Sequence, residues 1–462
     1  MSIRVKVYCY NGSNVASQQV LGVNLKKIVI VGGGVGGLEL ATKLGRSLGK
    51  RNKAKIILID KCRVHFWKPH LHELAAGTLA VESHSVDYLA QAYKNHFSFY
   101  NGNLISLNRK QKKIKLEEFI DDRGDLVTPE CEVEYDDLVL SIGSQINDFS
   151  TPGVEKFAVA LDSVLQAQEF QKRLINSFLR ANAQLNQNKT LRPEQLKLVV
   201  VGGGATGVEL AAELFNATRS LVAYGFGAIN PDSQIKITVI EANSRILKGL
   251  PEKISIAVKE KLSLMKIKVI ENAKVSKVLS DSVLLSDGNP VPAEIVVWAA
   301  GVKCSPFLKN FGLETNENNQ LLVKDTLQTT LDDCIFAIGD CAAVTWKNGE
   351  APFVPPRAQA ANQQSKHLTH QFVKREYHGK LPMAWTYQDL GSLVSLGKFS
   401  PVANLMTNFT GKNMYLEGFF SRLMYWSLYK SHEVALYGYW KTVVLTLSRF
   451  FSSDDRNRVK LH

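Results

Sequence analysis

The stretch Lys27-Ile28-Val29-Ile30-Val31-Gly32-Gly33-Gly34-Val35-Gly36-Gly37 decides the fold of this 462-residue chain. Its apolar run, Ile28 to Val31, lacks helical spacing and predicts a buried parallel strand. Gly32, Gly34 and Gly37 follow in G-x-G-x-x-G order, which lets a backbone approach a pyrophosphate at the N-terminus of a helix. That pattern alone is weak evidence. Here a second strand, residues 55–59, ends in Asp60, an acceptor for a ribose hydroxyl, so the stretch predicts a dinucleotide site.

The same arrangement recurs in the middle of the chain. An apolar strand at 196–201 precedes a second glycine turn, and another strand at 235–240 ends in Glu241. The glycines of this turn are Gly202, Gly204 and Gly207. An acid at this position accepts a hydrogen bond from a ribose 2′-hydroxyl and repels a 2′-phosphate, which favours NADH over NADPH. Two unrelated glycine turns stay open as the alternative, but two complete sites indicate a resident flavin and a visiting nicotinamide.

Other strand ends carry small residues or an acid. The apolar segment 135–144 ends near Gly143, and the segment 294–301 ends at Gly301. Small residues at the carboxyl edge of a sheet allow a ligand or a neighbouring backbone to come close. A further short strand leads to Asp340 after a glycine, for which an ordinary turn aspartate is the alternative. These strand ends therefore leave room for a ligand near Gly143 and Gly301.

Composition limits the class of protein. The chain has a net charge of +13, which suggests an anionic partner, but its basic residues are scattered and no nucleic-acid motif is visible. An anionic membrane surface is the remaining candidate. Its six cysteines form no C-x-x-C pair, which fits a reducing compartment. No apolar run of about 18 residues is present, so we predict no transmembrane helix.

Three histidines follow the second strand of the first motif, at His65, His70 and His72. The H-x-H spacing invites a metal interpretation, but no further ligand pattern accompanies it. Ordinary packing in a cofactor loop is the better interpretation, and we predict no metal site.

The C-terminal stretch has an amphipathic helical pattern. Helical spacing predicts one apolar face, which contains Leu436, Tyr439, Trp440, Val443, Leu447 and Phe450. Val444 and Leu445 fall outside this face. The opposite side carries Lys430, Lys441 and Arg449, and residues 419–426 are also rich in apolar and aromatic side chains. This pattern predicts an interfacial helix on an anionic membrane. A helix packed in a core or in a dimer interface is the alternative.

Taken together, these motifs resemble the two-dinucleotide-fold flavoproteins, and among them the type II NADH:quinone oxidoreductases. The resemblance runs from Leu25 to His462. The matching segments are residues 31–37, 67–69, 201–210, 337–341, 355–364 and 391–397. The closing Val459-Lys460-Leu461-His462 resembles the end of a proteobacterial member.

The resemblance implies roles for particular residues. FAD would be held by Gly32, Gly34, Gly37, Asp60 and Asp340, and NADH by Gly202, Gly204, Gly207 and Glu241. Lys68, Gly143 and Gly301 are further expected cofactor-binding residues. Glu209 would lie near the nicotinamide and the flavin, although a solvated acid in the first turns of a helix is the alternative. Gln359 and Gln363 would lie beside the flavin ring, where quinone arrives.

The implied fold class is α/β, with two Rossmann-like dinucleotide-binding domains, the second inserted in the first, and a C-terminal membrane-associating helical region. The expected limits are an N-terminal extension at 1–24, FAD-binding parts at 25–150 and 304–390, an NADH-binding domain at 151–303 and the C-terminal region at 391–462. The expected place is the cytoplasmic face of the inner (plasma) membrane. A homodimer is left open.

The implied reaction is a hydride transfer from NADH to FAD, followed by two-electron reduction of a membrane quinone without proton pumping. A sulfide:quinone oxidoreductase is one alternative, but it needs cysteines at the flavin, and Cys341 has no evident partner. A reductase that serves a small electron carrier would lack the amphipathic C-terminus. A non-catalytic, NADH-sensing flavoprotein is the alternative from a different class.

Overall fold

The computed structural model describes residues 25–451 except 348, 350, 380–381, 397–398, 407–412 and 418. The expected N-terminal extension, residues 1–24, and the closing Val459–His462 lie outside the described residues.

The strands are β1 (Lys26–Val31), β2 (Ala54–Asp60), β3 (Val64–Phe66), β4 (Ser85–Asp87), β5 (Ser98–Asn101), β6 (Leu104–Asn108), β7 (Lys113–Leu116), β8 (Phe119–Ile120), β9 (Leu126–Thr128), β10 (Cys131–Glu134), β11 (Asp137–Leu140), β12 (Gln145–Ile146), β13 (Ala158–Ala160), β14 (Lys197–Val201), β15 (Lys236–Ile240), β16 (Lys268–Ile270), β17 (Val275–Val278), β18 (Ser282–Leu285), β19 (Pro290–Pro292), β20 (Ile295–Trp298), β21 (Val302–Lys303), β22 (Leu321–Val323), β23 (Gln328–Thr329), β24 (Asp332–Ala337), β25 (Ala342–Val344), β26 (Ser392–Leu396), β27 (Phe399–Met406) and β28 (Asn413–Glu417).

The α-helices are α1 (Val35–Ser47), α2 (Leu71–Ala75), α3 (Val81–His84), α4 (Tyr88–Asn95), α5 (Val154–Phe157), α6 (Val164–Asn186), α7 (Ala205–Ala223), α8 (Glu252–Leu264), α9 (Ala358–His378), α10 (Phe419–Tyr437) and α11 (Tyr439–Phe451). Short 3₁₀ helices are Gly49–Arg51, Lys68–His70, Pro306–Phe311 and Gly339–Cys341.

An eight-stranded sheet carries the first glycine turn, with strand order β25-β22-β23-β24-β11-β1-β2-β5. β1 pairs in parallel with β2 and with β11, and β11 pairs in parallel with β24. The apolar run Ile28–Val31 is buried, as expected for a parallel strand covered on both faces. The expected strand before Asp340 is β24, so residues far apart in sequence meet at one edge of this sheet.

A second sheet, of order β13-β20-β14-β15-β16, is entirely parallel and carries the second glycine turn. Its strands come from residues 158–298, between the two parts of the first sheet, so the second dinucleotide fold is inserted in the first as predicted. The chain crosses between the sheets twice, and these crossings pair as β12 and β21. The domain limits given above stay a prediction.

The region after residue 391 begins with a sheet that the sequence analysis did not predict. β26, β27 and β28 pair antiparallel, and Val394 and Leu396 of β26 are buried in the hydrophobic core of the second dinucleotide fold. This part of the expected membrane region therefore packs against the second fold.

The helix α10 is docked on the first fold rather than extending from it. Leu436 is 1% exposed and lies in the first hydrophobic core. The Arg46 guanidinium of α1 donates to the carbonyls of Leu436, at 2.6 Å, and Ala435, at 3.1 Å, while the Gln91 amide donates to Leu436 at 2.9 Å. The expectation that Leu436 belongs to the exposed apolar face is therefore wrong, because its helix buries it against α1.

The helix α11 presents the apolar face instead. Tyr439, Trp440, Val444 and Leu447 are 67%, 80%, 64% and 52% exposed. Val444, which the spacing placed outside the stripe, is thus part of the exposed face. The side chain of Phe450 and those of residues 419–426 lie outside the described residues.

Two of the three predicted lipid-facing cations are used inside the protein. Lys430 Nζ and the Arg449 guanidinium both pair with Glu433, a carboxylate that is 2% exposed. This ion-pair cluster joins α10 to α11, and only Lys441 of the three is exposed. Within the described ranges, no helix is long and apolar enough to cross a membrane.

Candidate cofactor and active site

The first glycine turn has the geometry of a dinucleotide site. Gly32 has φ +102°, and a Cβ there would lie 2.1 Å from the carbonyl oxygen of Ser141. A Cβ at Gly37 would lie 1.9 Å from Gly32 O, so the backbone of α1 packs directly against the turn and leaves no room for a side chain at this position. Around Gly34, no described atom comes within 4 Å of a Cβ position, and no described side chain caps α1. The open face and the uncapped helix N-terminus fit the pyrophosphate of FAD.

The second turn repeats this construction. Gly202 has φ +111°, a Cβ at Gly207 would lie 2.0 Å from Gly202 O, and around Gly204 the described atoms again leave the space open. In each dinucleotide fold, the acidic residue that follows the second strand accepts a hydrogen bond from the middle glycine of the turn. The Gly33 N–H donates to Asp60 Oδ2 at 2.6 Å, and the Gly203 N–H donates to Glu241 Oε2 at 2.7 Å.

Three further predicted cofactor residues, Lys68, Gly143 and Asp340, lie where β11 and β24 end. Lys68 Nζ donates to Ser144 O at 3.2 Å, and the Ser144 hydroxyl donates to Asp340 Oδ2 at 2.6 Å. Gly143 has φ +79° and opens into free space among the described residues. Gly301, predicted to bind a cofactor, has φ +65° just before the crossing strand β21, where a Cβ would meet the Phe149 ring at 2.7 Å.

Glu209 of α7 is buried between three elements. It is 8% exposed, so the interpretation as a solvated acid is wrong. The backbone N–H of Ser395 in β26 donates to Glu209 Oε1 at 2.9 Å, and His72 Nδ1 of α2 lies 3.7 Å from Oε2. Burial raises the pKa of Glu209 to about 8, and burial lowers the pKa of His72 to about 4. At neutral pH this site therefore pairs a protonated carboxyl with an uncharged imidazole.

Gln359 and Gln363 lie on one face of α9 and bind the segment before β26. Gln359 Nε2 donates to Gly391 O at 3.0 Å and accepts the Leu390 N–H at 3.1 Å. Gln363 Nε2 donates to Gln388 O at 2.8 Å and accepts the Gln388 N–H at 3.1 Å. Both amides position the backbone that leads to Ser395, and their direct role in catalysis stays a prediction.

The thiols near Asp340 are buried. Cys304 Sγ donates to Asp340 O at 3.3 Å, and Cys341 Sγ donates to Ile338 O at 3.3 Å. Cys304 is thus the neighbour of Cys341 that the sequence did not reveal. Burial raises the pKa of Cys341 to about 11 and raises that of Cys304 further, so both stay protonated thiols. A sulfur relay requires thiolates, and these residues disfavour them.

The three histidines do not converge on one point. His65 contacts Gly33, His70 lies 3.2 Å from Glu73, and His72 lies between Glu73, at 3.8 Å, and Glu209, at 3.7 Å. In the described part of the chain, no three of its His, Cys, Asp and Glu side chains are grouped to hold a metal ion.

Sequence reasoning missed His72 and Ser395 as neighbours of Glu209. His72 follows the Trp67-Lys68-Pro69 segment, and its signal was the H-x-H spacing, which pointed to a metal. Ser395 acts through its backbone, which carries no sequence signal at all.

Comparisons with known proteins agree with this geometry. A family model described as pyridine nucleotide-disulphide oxidoreductase matches residues 26–365. The type II NADH:quinone oxidoreductase of Haemophilus influenzae is 41% identical over 95% of this chain and 100% of that protein. A probable NADH dehydrogenase of Dictyostelium discoideum is 30% identical over 83% of this chain and 81% of that protein.

Among solved structures, NDH2 of Plasmodium falciparum in complex with NADH aligns with a TM-score of 0.75 at 20% identity, over 93% of this chain and 98% of that one. The sulfide:quinone oxidoreductase of Aquifex aeolicus aligns with a TM-score of 0.67 at 20% identity, over 94% and 92% of the two chains. At such identities the likeness shows a shared fold alone.

The fold and its two glycine turns define an oxidoreductase with two dinucleotide sites. The chain belongs to the type II NADH:quinone oxidoreductases, within the pyridine nucleotide-disulphide oxidoreductase family. The predicted resemblance is therefore confirmed, and the protein is an FAD-dependent enzyme with NADH as substrate.

Proposed function

We propose that this protein is a membrane-peripheral enzyme that oxidises NADH and reduces a membrane quinone by two electrons through FAD, without pumping protons. The observation that carries the proposal is the pair of complete glycine turns in one chain, each with an acid hydrogen-bonded to its middle glycine. The relationship to the Haemophilus influenzae type II NADH:quinone oxidoreductase supports quinone as the electron acceptor.

The first turn is the proposed FAD site. Gly32 and Gly37 allow close packing, Gly34 leaves space for the pyrophosphate, and Asp60 accepts from the adenosine ribose. Bound FAD supplies the acceptance of a hydride and the delivery of two electrons. Lys68, Gly143 and Asp340, which meet at the ends of β11 and β24, would hold the rest of the cofactor.

The second turn is the proposed NADH site. Gly202, Gly204 and Gly207 would contact the pyrophosphate, and Glu241 the adenosine ribose. Glu241 also accepts the Asn243 N–H at 2.8 Å and is 8% exposed, so its carboxylate is held in one orientation. A 2′-phosphate would meet a fixed negative charge there, which favours NADH.

Glu209 is the proposed proton donor for quinone. Quinone takes up two protons with its two electrons, and Glu209 carries a proton at neutral pH because burial raises its pKa to about 8. His72 and the Ser395 N–H would orient this carboxyl. Gln359 and Gln363 would shape the quinone site by holding the 388–391 backbone in place.

The exposed face of α11 is the proposed membrane contact. Its apolar side chains, with Lys441 beside them, suit the boundary between headgroups and acyl chains, and the net charge of +13 suits anionic lipid. We place the protein on the cytoplasmic face of the inner (plasma) membrane, where NADH is available. The described cysteines are free thiols, as in a reducing compartment.

Steady-state turnover in detergent tests this function, with NADH, NADPH or sulfide as donor and a soluble quinone as acceptor. We expect quinone-dependent oxidation of NADH, slower oxidation of NADPH and no oxidation of sulfide. Sulfide-dependent quinone reduction without NADH oxidation would replace the proposal with the alternative enzyme.

A further inference from the structure

A chain of buried hydrogen bonds joins the C-terminal helix α10 to the first glycine turn. His65 Nδ1 lies 3.0 Å from Gly33 O, and His65 Nε2 lies 3.1 Å from His432 Nε2. His432 Nδ1 lies 2.9 Å from Glu39 Oε1. His65, His432 and Glu39 are 5%, 3% and 0% exposed, so these groups are shielded from bulk solvent.

The number of protons in this chain of hydrogen bonds sets the charge of the two histidines. The Gly33 carbonyl at one end is only an acceptor, and so is an ionised Glu39 at the other. Three hydrogen bonds need three protons, and the four ring nitrogens are the only atoms between the ends that can carry them. Two neutral histidines carry two protons, so the His65–His432 pair carries a third and has one positive charge.

Glu39 has the surroundings of an ionised carboxylate. Asn362 Nδ2 donates to both of its oxygens, at 2.9 and 2.7 Å, and Lys43 Nζ donates to Oε2 at 2.8 Å. Burial acts to raise the pKa of Glu39, but the hydrogen bond from His432 and the charge of Lys43 bring it below its ordinary value. His432 is the ring that contacts the Glu39 carboxylate, whereas His65 contacts the neutral carbonyl of Gly33, and this geometry places the added proton on His432. Burial and the charge of His432 lower the pKa of His65 to about 3.

We propose that His432 is a buried imidazolium that positions the first glycine turn through His65. Because His432 Nε2 donates, His65 must accept at Nε2 and present its Nδ1–H to Gly33 O. The Tyr88 hydroxyl donates to the same oxygen at 2.7 Å, so two donors hold this carbonyl. The peptide is planar and trans, so the Gly34 N–H points away from the histidines.

This inference makes α10 part of the flavin site, and it rests on the assignment of the first glycine turn to FAD. Without His432, the Nε2 of His65 no longer needs to accept, and the other tautomer loses its bond to Gly33. Among the described side chains, only Tyr88 then still donates to the Gly33 carbonyl. The turn becomes free to reorient the amide that faces the pyrophosphate.

The first test reads the protonation state directly. Nitrogen-15 NMR of histidine-labelled holoenzyme in detergent, with His432 assigned by its loss in His432→Gln, should show both ring nitrogens of His432 protonated at neutral pH. His65 should carry its proton on Nδ1. In Glu39→Gln, His432 should lose one proton because its counter-ion is gone. A singly protonated His432 in the wild-type protein would overturn the proposal.

The second test measures FAD release from the holoenzyme by recovery of free-flavin fluorescence after dilution. His432→Gln should release FAD about tenfold faster, the effect of one lost hydrogen bond to the turn. The exposed His378→Gln on α9 is the matched control and should release FAD at the wild-type rate.

A double variant separates positioning from general loosening. His65→Phe should also speed release, and adding His432→Gln to it should have no further effect, because His432 acts through His65. Additive effects, or an unchanged release rate in His432→Gln, would contradict the positioning role. If Gly34→Val retains FAD, the cofactor assignment itself is wrong, whatever the NMR shows.

Discussion

At the residue scale, one acid serves each dinucleotide site in two ways. Asp60 and Glu241 both accept the N–H of the middle glycine in their own turn, at 2.6 and 2.7 Å. A carboxylate has more acceptor positions than that bond uses, so the ribose can still bind. The same side chain therefore fixes the turn and selects the nucleotide.

Glu241→Gln should weaken the choice between NADH and NADPH. The amide keeps an oxygen for the Gly203 N–H but loses the charge that repels a 2′-phosphate, so the ratio of kcat/KM values should fall by about tenfold or more. The exposed Glu252→Gln on α8 is the control and should keep the wild-type ratio. An unchanged ratio in Glu241→Gln would mean that another residue selects the nucleotide.

Glu209 should make the protein less stable as the pH rises. Burial raises its pKa from 4.5 to about 8. The free energy of unfolding therefore has its full contribution from this group below pH 4.5, and that contribution is lost as the pH rises through 8. Glu209→Gln, which stays neutral, should therefore gain in Tm relative to the wild type between pH 5 and 9. Glu252→Gln should show no such trend. A parallel pH dependence of Glu209→Gln and wild type would show that Glu209 is ionised in the folded protein.

At the element scale, α10 and α11 have opposite roles although they are consecutive. α10 is held by the side chains of Arg46, Gln91, Glu39 and His65 of the first fold, whereas α11 exposes Trp440 and its apolar neighbours. A deletion that begins at Leu416 removes both helices, so it tests FAD retention and membrane binding at the same time.

A deletion after Gly438 separates them. We expect a protein without α11 to keep its FAD and lose its binding to anionic vesicles in a sedimentation assay. Deletion from Leu416 should also lose FAD. Trp440→Ser with Leu447→Ser should weaken vesicle binding, while Leu165→Ser with Leu264→Ser, at exposed leucines outside α11, should not. Sedimentation of the Gly438 truncation with vesicles would place the membrane contact elsewhere.

The two glycine turns could be predicted from the sequence because all of their determinants are local. Strand, turn, helix and acid lie within residues 26–60 for the first turn and within residues 197–241 for the second, and each step has its own pattern. The inward face of α10 could not be predicted, because Arg46 and Leu436 are 390 positions apart. Spacing identified an apolar stripe, but packing decides which of its residues are buried. Leu436 is buried because α10 packs against α1, whereas Val444 on α11 is exposed.

At the scale of the whole molecule, the site depends on parts that the chain brings together from far apart. Glu209 comes from the inserted fold, His72 from the first fold and Ser395 from the C-terminal sheet. The resemblance to the type II NADH:quinone oxidoreductases implied a role for Glu209. The sequence could not predict the burial that makes this acid neutral, since burial is a property of the assembled elements.

We expect electrons to pass from NADH to FAD and then from FAD to quinone in two separable steps. Anaerobic rapid mixing of the detergent-solubilised holoenzyme measures both by the flavin absorbance. One equivalent of NADH should bleach the flavin, and one equivalent of a soluble quinone should then restore it fully. Bleaching by NADH without reoxidation by quinone would contradict the account.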